Sequence, residues 1–451
     1  MGNFDKEAIQ GQDDGKAMVG NVSAGSDVDE APLINYRTLS WWHGGIILIA
    51  ETVSLGILSL PSVIATLGLA PGIVLILVMS AVSTYSCVVL GEFRKNYPHA
   101  ENFGDAAEII TRSTGIGPFF RELFGWAQVV LQVFVAGSHL LTWTICLNTL
   151  TNSSTCTIIW AVVGLGVFWL LNTPRTLKYT SWMSYVSCIS IIVATLMTVG
   201  DVAHARTVTS GSFDVSRSLP FPTAFLAVAN IAVSFSSHSC FFGVISEFKN
   251  ENDWPKALAL LQITDTTLYL IAAIVIYIFV GRDVPSPALS AAQSETMRKA
   301  IWGVAIPTIV IAGVIYGHVA SKYIFDRIYR GKKGAVRRTT SSTLAWFGIT
   351  FGVWLIAMII AESIPVFNSL LGVICALFVS WFSYGLPGIF WLWMHYGNWF
   401  NKGPKQMARF AGNAVLLLLG VLLFGLGLWS SIDALVKEKT GSPWTCASNV
   451  A

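Results

Sequence analysis

Two stretches of this sequence put reactive polar groups where neighbouring residues are apolar. Glu51 stands in Ile49-Ala50-Glu51-Thr52-Val53-Ser54-Leu55-Gly56-Ile57-Leu58-Ser59-Leu60-Pro61, whose other side chains are apolar, small or hydroxylic. A charged acid at a bilayer centre costs roughly 3 kcal/mol on insertion scales, so such a group must face inward, pair or take up a proton. Two roles follow, a proton-coupling carboxyl or a structural clamp on an interrupted helix. The second stretch, Ser234-Phe235-Ser236-Ser237-His238-Ser239-Cys240 with Gly243 beyond, gathers serines around a histidine. That cluster is costly in lipid unless it faces a cavity. Histidine titrates near neutral pH, so His238, His139 and His318 are further proton-coupling candidates. A lone histidine in an apolar run otherwise serves as a hydrogen-bonding packing residue, and the neighbours of His238 favour it over the other two.

The elements that must hold these groups are membrane helices. Of 451 residues 54% are hydrophobic and 12% charged, about half the charge of a soluble protein. Such apolar bulk belongs on helix exteriors in a bilayer. Eleven apolar runs are long enough, or nearly so, to cross one: 43–67, 71–90, 123–149, 156–173, 180–200, 221–246, 258–280, 301–325, 344–362, 365–395 and 409–431. A polar stretch after the second run holds a short interfacial helix at 103–110. Residues 1–36 read as a disordered polar tail, residues 37–431 as the transmembrane domain and 432–451 as a short extracytosolic tail. No cleavable signal peptide opens the chain, so the first apolar run must direct insertion. With the amino terminus in the cytosol, 21 of the 28 Lys and Arg residues fall on the cytosolic side, including the basic run from Arg327 to Arg338. The carboxyl terminus is then outside. The net charge of +3 is spread over short loops and forms no face for nucleic acid. The cysteines lack metal-ligand spacing and mostly sit in apolar runs as small packing residues; Cys146 and Cys156 flank one polar loop, which leaves a disulfide between them open.

The two polar stretches fall in runs one and six, five spans apart and therefore of opposite orientation. An inverted repeat of five plus five helices, here about 43–200 and 221–395, places broken helices at just such positions, with run eleven as an addition. Unpaired amides at half-helix ends then receive a carboxylate, while unwound carbonyls hold a cation. The expected substrate contacts are Ser54, Leu55, Gly56 and Ile57 in the first break, and Ser234, Phe235, Ser236 and Ser237 in the sixth. Neither break holds a charged partner for a basic or acidic side chain, which favours neutral amino acids. The competing expectation is two ordinary kinked helices whose serines bond back to their own turns.

At these residues the sequence resembles fungal members of the amino acid/auxin permease family (AAAP). The resemblance begins at Leu39-Ser40-Trp41-Trp42-His43 and runs through the Glu51 stretch, Tyr97-Pro98-His99 and Gly137-Ser138-His139. It continues through Pro174-Arg175-Thr176-Leu177-Lys178, Phe241-Phe242-Gly243-Val244-Ile245-Ser246-Glu247, Gly317-His318-Val319 and Ala361-Glu362-Ser363-Ile364-Pro365. It covers about residues 38–395 and is closest to the neutral amino acid permeases, which carry aliphatic and aromatic amino acids inward with protons. It implies an all-α polytopic membrane protein with a leucine-transporter-like fold of the APC superfamily. It also implies a proton gradient rather than sodium as the driving force, no bound cofactor, and an amino acid and the lipid bilayer as partners. The plasma membrane is the expected location, with the vacuolar membrane as the other. Trafficking or ubiquitination machinery would address the amino-terminal tail. An amino-acid-sensing receptor using the same pocket and a vacuolar exporter are the alternatives. No nucleophile–base pair, metal cluster or phosphate-binding loop suggests an enzyme.

Overall fold

The computed structural model describes residues 39–175, 180–205, 213–330, 339–401, 403–437 and 443–450. The polar tail of residues 1–36 and most of the basic run ending at Arg338 lie outside them. Within the described residues the chain is almost wholly helical: α1 Trp41–Leu67, α2 Leu69–Asn96, α3 Phe103–Thr111, α4 Gly117–Leu150, α5 Thr157–Leu171, α6 Thr180–Ala205, α7 Phe221–Ser234 and α8 His238–Ser246 form the first part. They are followed by α9 Trp254–Val280, α10 Glu295–Tyr329, α11 Thr340–Ser363, α12 Phe367–Ile374, α13 Leu386–Met394 and α14 Pro404–Lys437. Helices α7 and α8 make one span, and α12 and α13 another, joined through a π-helical segment at Cys375–Gly385. The interfacial helix expected at 103–110 is α3, its first turn capped by the Asn102 side chain. Arg121 anchors it, 3.2 Å from Asp105 and 3.1 Å from Glu108.

Ten described spans are long and apolar enough to cross a bilayer, and the fifteen-residue α5 is the shorter eleventh. Covalent connectivity shows that α5 crosses as well. Cys156, just before α5, is bridged to Cys446, beyond α14. Both ends of that bridge lie on one side of the membrane, so an even number of spans must separate them. Counting α5 gives eight, and omitting it would leave an odd number. Whether Cys146 and Cys156 are bridged, which the sequence left open, is thereby answered: they are not. Cys146 is a buried free thiol inside α4, set toward the Trp302 carbonyl at 3.6 Å, whereas Cys156 stands in the loop where the carboxyl-terminal tail returns.

The eleven spans form two five-span halves of opposite orientation, α1 to α6 and α7 to α13, with α14 outside the repeat. Burial sorts them by position. The most apolar windows of α1 and of the α12–α13 span are 89% buried, against 33% for α11 and α14. The first two are therefore core helices, and the others turn apolar side chains such as Leu344, Ile356, Val415 and Leu418 outward, as lipid contact requires. At one end of the bundle a staple joins the halves. The Leu39 amide donates to the Glu247 carbonyl at 2.9 Å, and the Lys249 amide returns a bond to the Leu39 carbonyl at 2.9 Å. At the other end the 214–217 loop lies on the α1–α2 turn, where the Arg217 guanidinium donates to the Ala65 carbonyl at 2.6 Å. That turn needs glycine: Gly68 has φ +93°, and a Cβ there would lie 2.7 Å from the Ser216 Cα. Asp214 in the same loop receives Arg282 at 2.6 and 2.7 Å, and the guanidinium holds its carboxyl below the usual carboxylate range.

The returning tail is more than a covalent tether. Asn449 donates to Thr144 and accepts from Asn148, and Thr157 donates to the Ala447 carbonyl. Replacing Cys446 with serine should therefore remove about 2–4 kcal/mol, the usual contribution of a bridge. Thermal unfolding in detergent should show a lower midpoint for this variant, and added reductant should bring the wild type to the same value.

Candidate functional site

The α7–α8 break is built from carbonyls that lose their helical partners and donors that replace them. Helix α7 ends at Ser234, and α8 restarts at His238. The last carbonyls of a helix have no amide four residues on, and in an apolar interior each unpaired one costs about 1–3 kcal/mol. Here they are met one by one. Tyr384, in the π-helical segment, donates to Ala232 O at 3.2 Å. The Ser236 amide and hydroxyl both turn back to Val233 O, at 3.0 and 2.6 Å. Ser83 of α2 donates to Phe235 O at 2.9 Å. Tyr269 of α9 places its hydroxyl 2.9 Å from Ser234 O and equally 2.9 Å from Thr52 O on α1, so a shared O–H ties the break to the first span.

The first span is not interrupted. Helix α1 runs unbroken from Trp41 to Leu67 through Gly56 and Pro61. Its small polar residues support the helix locally: Thr52, Ser54, Ser59 and Ser62 donate to Leu48 O, Glu51 O, Gly56 O and Ser59 O, at 2.7 to 3.1 Å. Gly56 has ordinary helical angles and serves instead as the point of closest approach to the break. A Cβ there would lie 2.5 Å from the Tyr269 hydroxyl oxygen and 3.0 Å from Ser234 Cβ.

Between α1, α4, the break, α10 and the α12 segment lies a cavity of about 40 Å³, room for water but less than an amino acid occupies. Leu131, Val135, Val233, Leu371, Ile374 and Val379 give it apolar walls, and Glu51, Thr52, Ser236, Ser239 and Tyr316 give it polar atoms. Of the eight contacts expected from sequence, Leu55, Gly56 and Ser236 line it. Ser54, Ile57, Ser234, Phe235 and Ser237 are buried beside it. Ser54 and Ser234 spend their hydroxyls on nearby carbonyls, and Phe235 packs edge-on against Tyr269 with ring centres 5.2 Å apart.

Of the four proton-coupling candidates only Glu51 reaches the cavity. Its carboxyl pairs with the Cys240 thiol on α8, and one oxygen has no partner. His238 faces away, its Nε2 2.5 Å from Ser86 Oγ and 3.2 Å from Cys87 Sγ, so it fastens α8 to α2. His139 stacks on Tyr316, ring centres 5.9 Å apart, and His318 packs on Trp346 at 5.3 Å. Sequence reading missed Tyr269 and Tyr316, because one tyrosine in an apolar run looks like any other packing aromatic. Their hydroxyls, obliged to find partners in a dry interior, were the available signal.

Comparison with known proteins agrees with this architecture. Residues 37–433 match the family described as transmembrane amino acid transporter protein. The chain is 29% identical to the N amino acid transport system protein of Neurospora crassa, over 91% of this chain and 89% of the relative. It is 28% identical to a transmembrane transporter of Gibberella moniliformis, over 92% and 89%. It is 22% identical to lysine histidine transporter-like 6 of Arabidopsis thaliana, over 86% and 89%. Among solved structures it resembles a nucleobase-cation-symport-1 family transporter in a closed conformation with bromovinylhydantoin bound. That match has a TM-score of 0.55 at 14% identity and covers 88% of this chain and 91% of the other, a likeness of fold.

Two substitutions test the contact between α1 and the break. Tyr269→Phe strips a donor from two buried carbonyls and should cost about 1–3 kcal/mol. Gly56→Ala forces a methyl group into the same hydroxyl and should cost a similar amount through overpacking, about 1–3 kcal/mol. Both should lower the thermal midpoint in detergent, while Gly166→Ala, whose Cβ would meet nothing within 4 Å, should not lower it.

Proposed function

This chain belongs to the transmembrane amino acid transporter family and moves amino acids across a membrane, and we propose that it imports neutral amino acids together with protons by alternating access. The observation that carries the substrate class is the cavity lining. Seven aliphatic side chains suit an apolar substrate side chain, and Glu51 is the only Asp, Glu, Lys, Arg or His among the lining residues. The substrate brings its own charges. Its carboxylate suits the first turn of α8, where helix-terminal amides and the dipole favour an anion. Its ammonium group suits Glu51. With the acid so engaged, no group is left to neutralise a charged substrate side chain.

Alternating access is supported by the two halves meeting at this cavity and by the small space it now encloses. The substrate must open it, and the α7–α8 break, joined by three residues, is the place where a half-helix can swing. The sidedness in this reading, amino terminus cytosolic and carboxyl terminus outside, is supported by loop charge and by the Cys156–Cys446 bridge, because disulfides persist in oxidising compartments. The plasma membrane is the location that suits import.

The test is radiolabelled uptake in cells lacking their own permeases, with all standard amino acids as competitors and with imposed proton or sodium gradients. Neutral aliphatic and aromatic amino acids should compete, and accumulation should follow the proton gradient. Competition by basic or acidic amino acids alone would overturn the substrate class, and accumulation that follows sodium would overturn the coupling. Binding without accumulation would favour a receptor. Glu51→Gln should cut uptake by about tenfold or more, equivalent to about 1.4 kcal/mol, at normal surface expression. Unchanged uptake with an unchanged pH profile would remove Glu51 from the site.

A further inference from the structure

We propose that Asp265, a second acid behind the helix break, is the proton-binding carboxyl of this transporter. The assignment rests on the reading of the chain as proton-coupled. Asp265 lies midway along α9 and is 0% exposed, and both its carboxylate oxygens lack any hydrogen-bond partner. Buried acids in membrane helices are retained with a partner or for a function, and an unpaired ionised carboxylate in such an interior is prohibitively costly. The present packing therefore accommodates the neutral acid. Its ionised form needs donors or water, and either must come by rearrangement.

The neighbours show what would rearrange. Helix α9 packs against α1, α2 and α6. The titratable groups near enough to feel the charge of Asp265 are Cys87 on α2, Cys188 on α6 and Tyr269 on α9 itself. On α1, Glu51 is engaged instead with Cys240. Among the described residues no lysine, arginine or histidine is paired with Asp265. Tyr269, four residues on, shares its face of α9 and is the residue whose hydroxyl joins Thr52 O to Ser234 O. Cys87 contacts His238, which opens α8. Asp265 thus stands beside two of the side chains that hold the break in place.

This arrangement gives a way to link the proton to the movement. When Asp265 binds a proton, Tyr269 is free to bridge α1 and α7, and the closed state is stable. When the proton leaves, the carboxylate competes for the Tyr269 hydroxyl, and the bridge between the halves weakens. The transfer is simple acid–base chemistry: water or hydronium delivers the proton to a carboxylate oxygen, and water on the opposite side removes it. Sequence inspection passed over this acid because the run at 258–280 holds no glycine or proline to mark a break, and Gln262, Thr264, Thr266 and Thr267 stand around it.

The experiment uses the full-length protein in proteoliposomes with a neutral amino acid that the uptake assay identifies as substrate. Three quantities are compared for wild type, Asp265→Asn and Asp265→Glu: accumulation driven by an inward proton gradient, counterflow exchange without a gradient, and substrate-induced thermal stabilisation. Asparagine should lower gradient-driven accumulation about 5–150-fold, the span of ordinary coupling energies. Counterflow should stay close to the wild-type rate but become independent of pH, and substrate should still stabilise the variant. Glutamate should restore part of the gradient response. Retained gradient-driven accumulation in Asp265→Asn would overturn the assignment while leaving proton coupling intact. Loss of counterflow and of substrate stabilisation together would also overturn it, by showing a structural role. A wild type indifferent to the proton gradient would overturn the coupling itself, and this assignment with it.

Discussion

A carbonyl released from a helix inside a membrane protein has no water to turn to, and that constraint organises this molecule around the end of α7. Three elements distant in sequence supply the missing donors: Ser83 from α2, Tyr269 from α9 and Tyr384 from the π-helical segment. Each bond satisfies a backbone group that would otherwise be costly, and each also ties the second half to another helix. The break is therefore a hub rather than a weak point. It stays irregular because its neighbours replace what the helix gave up.

The two halves meet the same constraint differently. In α1 the hydroxyls of Thr52, Ser54, Ser59 and Ser62 reach carbonyls three or four residues back, and the helix remains whole across Gly56 and Pro61. In the sixth span the chain opens at Phe235–Ser237. The first span thus supplies a smooth surface, and the sixth supplies the gap. Gly56 is what lets them approach, since a methyl group there would displace the Tyr269 hydroxyl. The Leu39–Phe248 staple and the 214–217 loop hold the ends of the same helices.

Two acids flank this junction in different settings. Glu51 looks into the cavity and shares its carboxyl with Cys240, whereas Asp265 sits behind the break with nothing to bind. The first is placed for contact with a charged ligand group. The second is placed to feel, and to alter, how tightly α9 holds α1 to α7. The histidines have humbler settings, packed on Tyr316 and Trp346 or bonded to Ser86.

The sequence by itself determined the spans, because twenty apolar residues in a row can only be satisfied by a helix in lipid. It also determined the two unusual stretches, because serines, an acid and a histidine are conspicuous against that background. The interfacial α3, the five-plus-five arrangement and Glu51, Leu55, Gly56 and Ser236 at the cavity were legible in this way. Whether a polar stretch breaks its helix was not legible. Serine can bond to its own turn inside an intact helix, as Ser54 does, or at a helix end, as Ser236 does while other helices satisfy the carbonyls of Ser234 and Phe235, and local sequence permits both. The partners of Cys156 and Tyr269 were equally hidden, since each depends on residues far along the chain: 290 positions away for the Cys156–Cys446 bridge, and 217 for the bond from Tyr269 to Thr52. Only the tertiary structure brings those residues together, because packing rather than local propensity decides which buried group finds which donor.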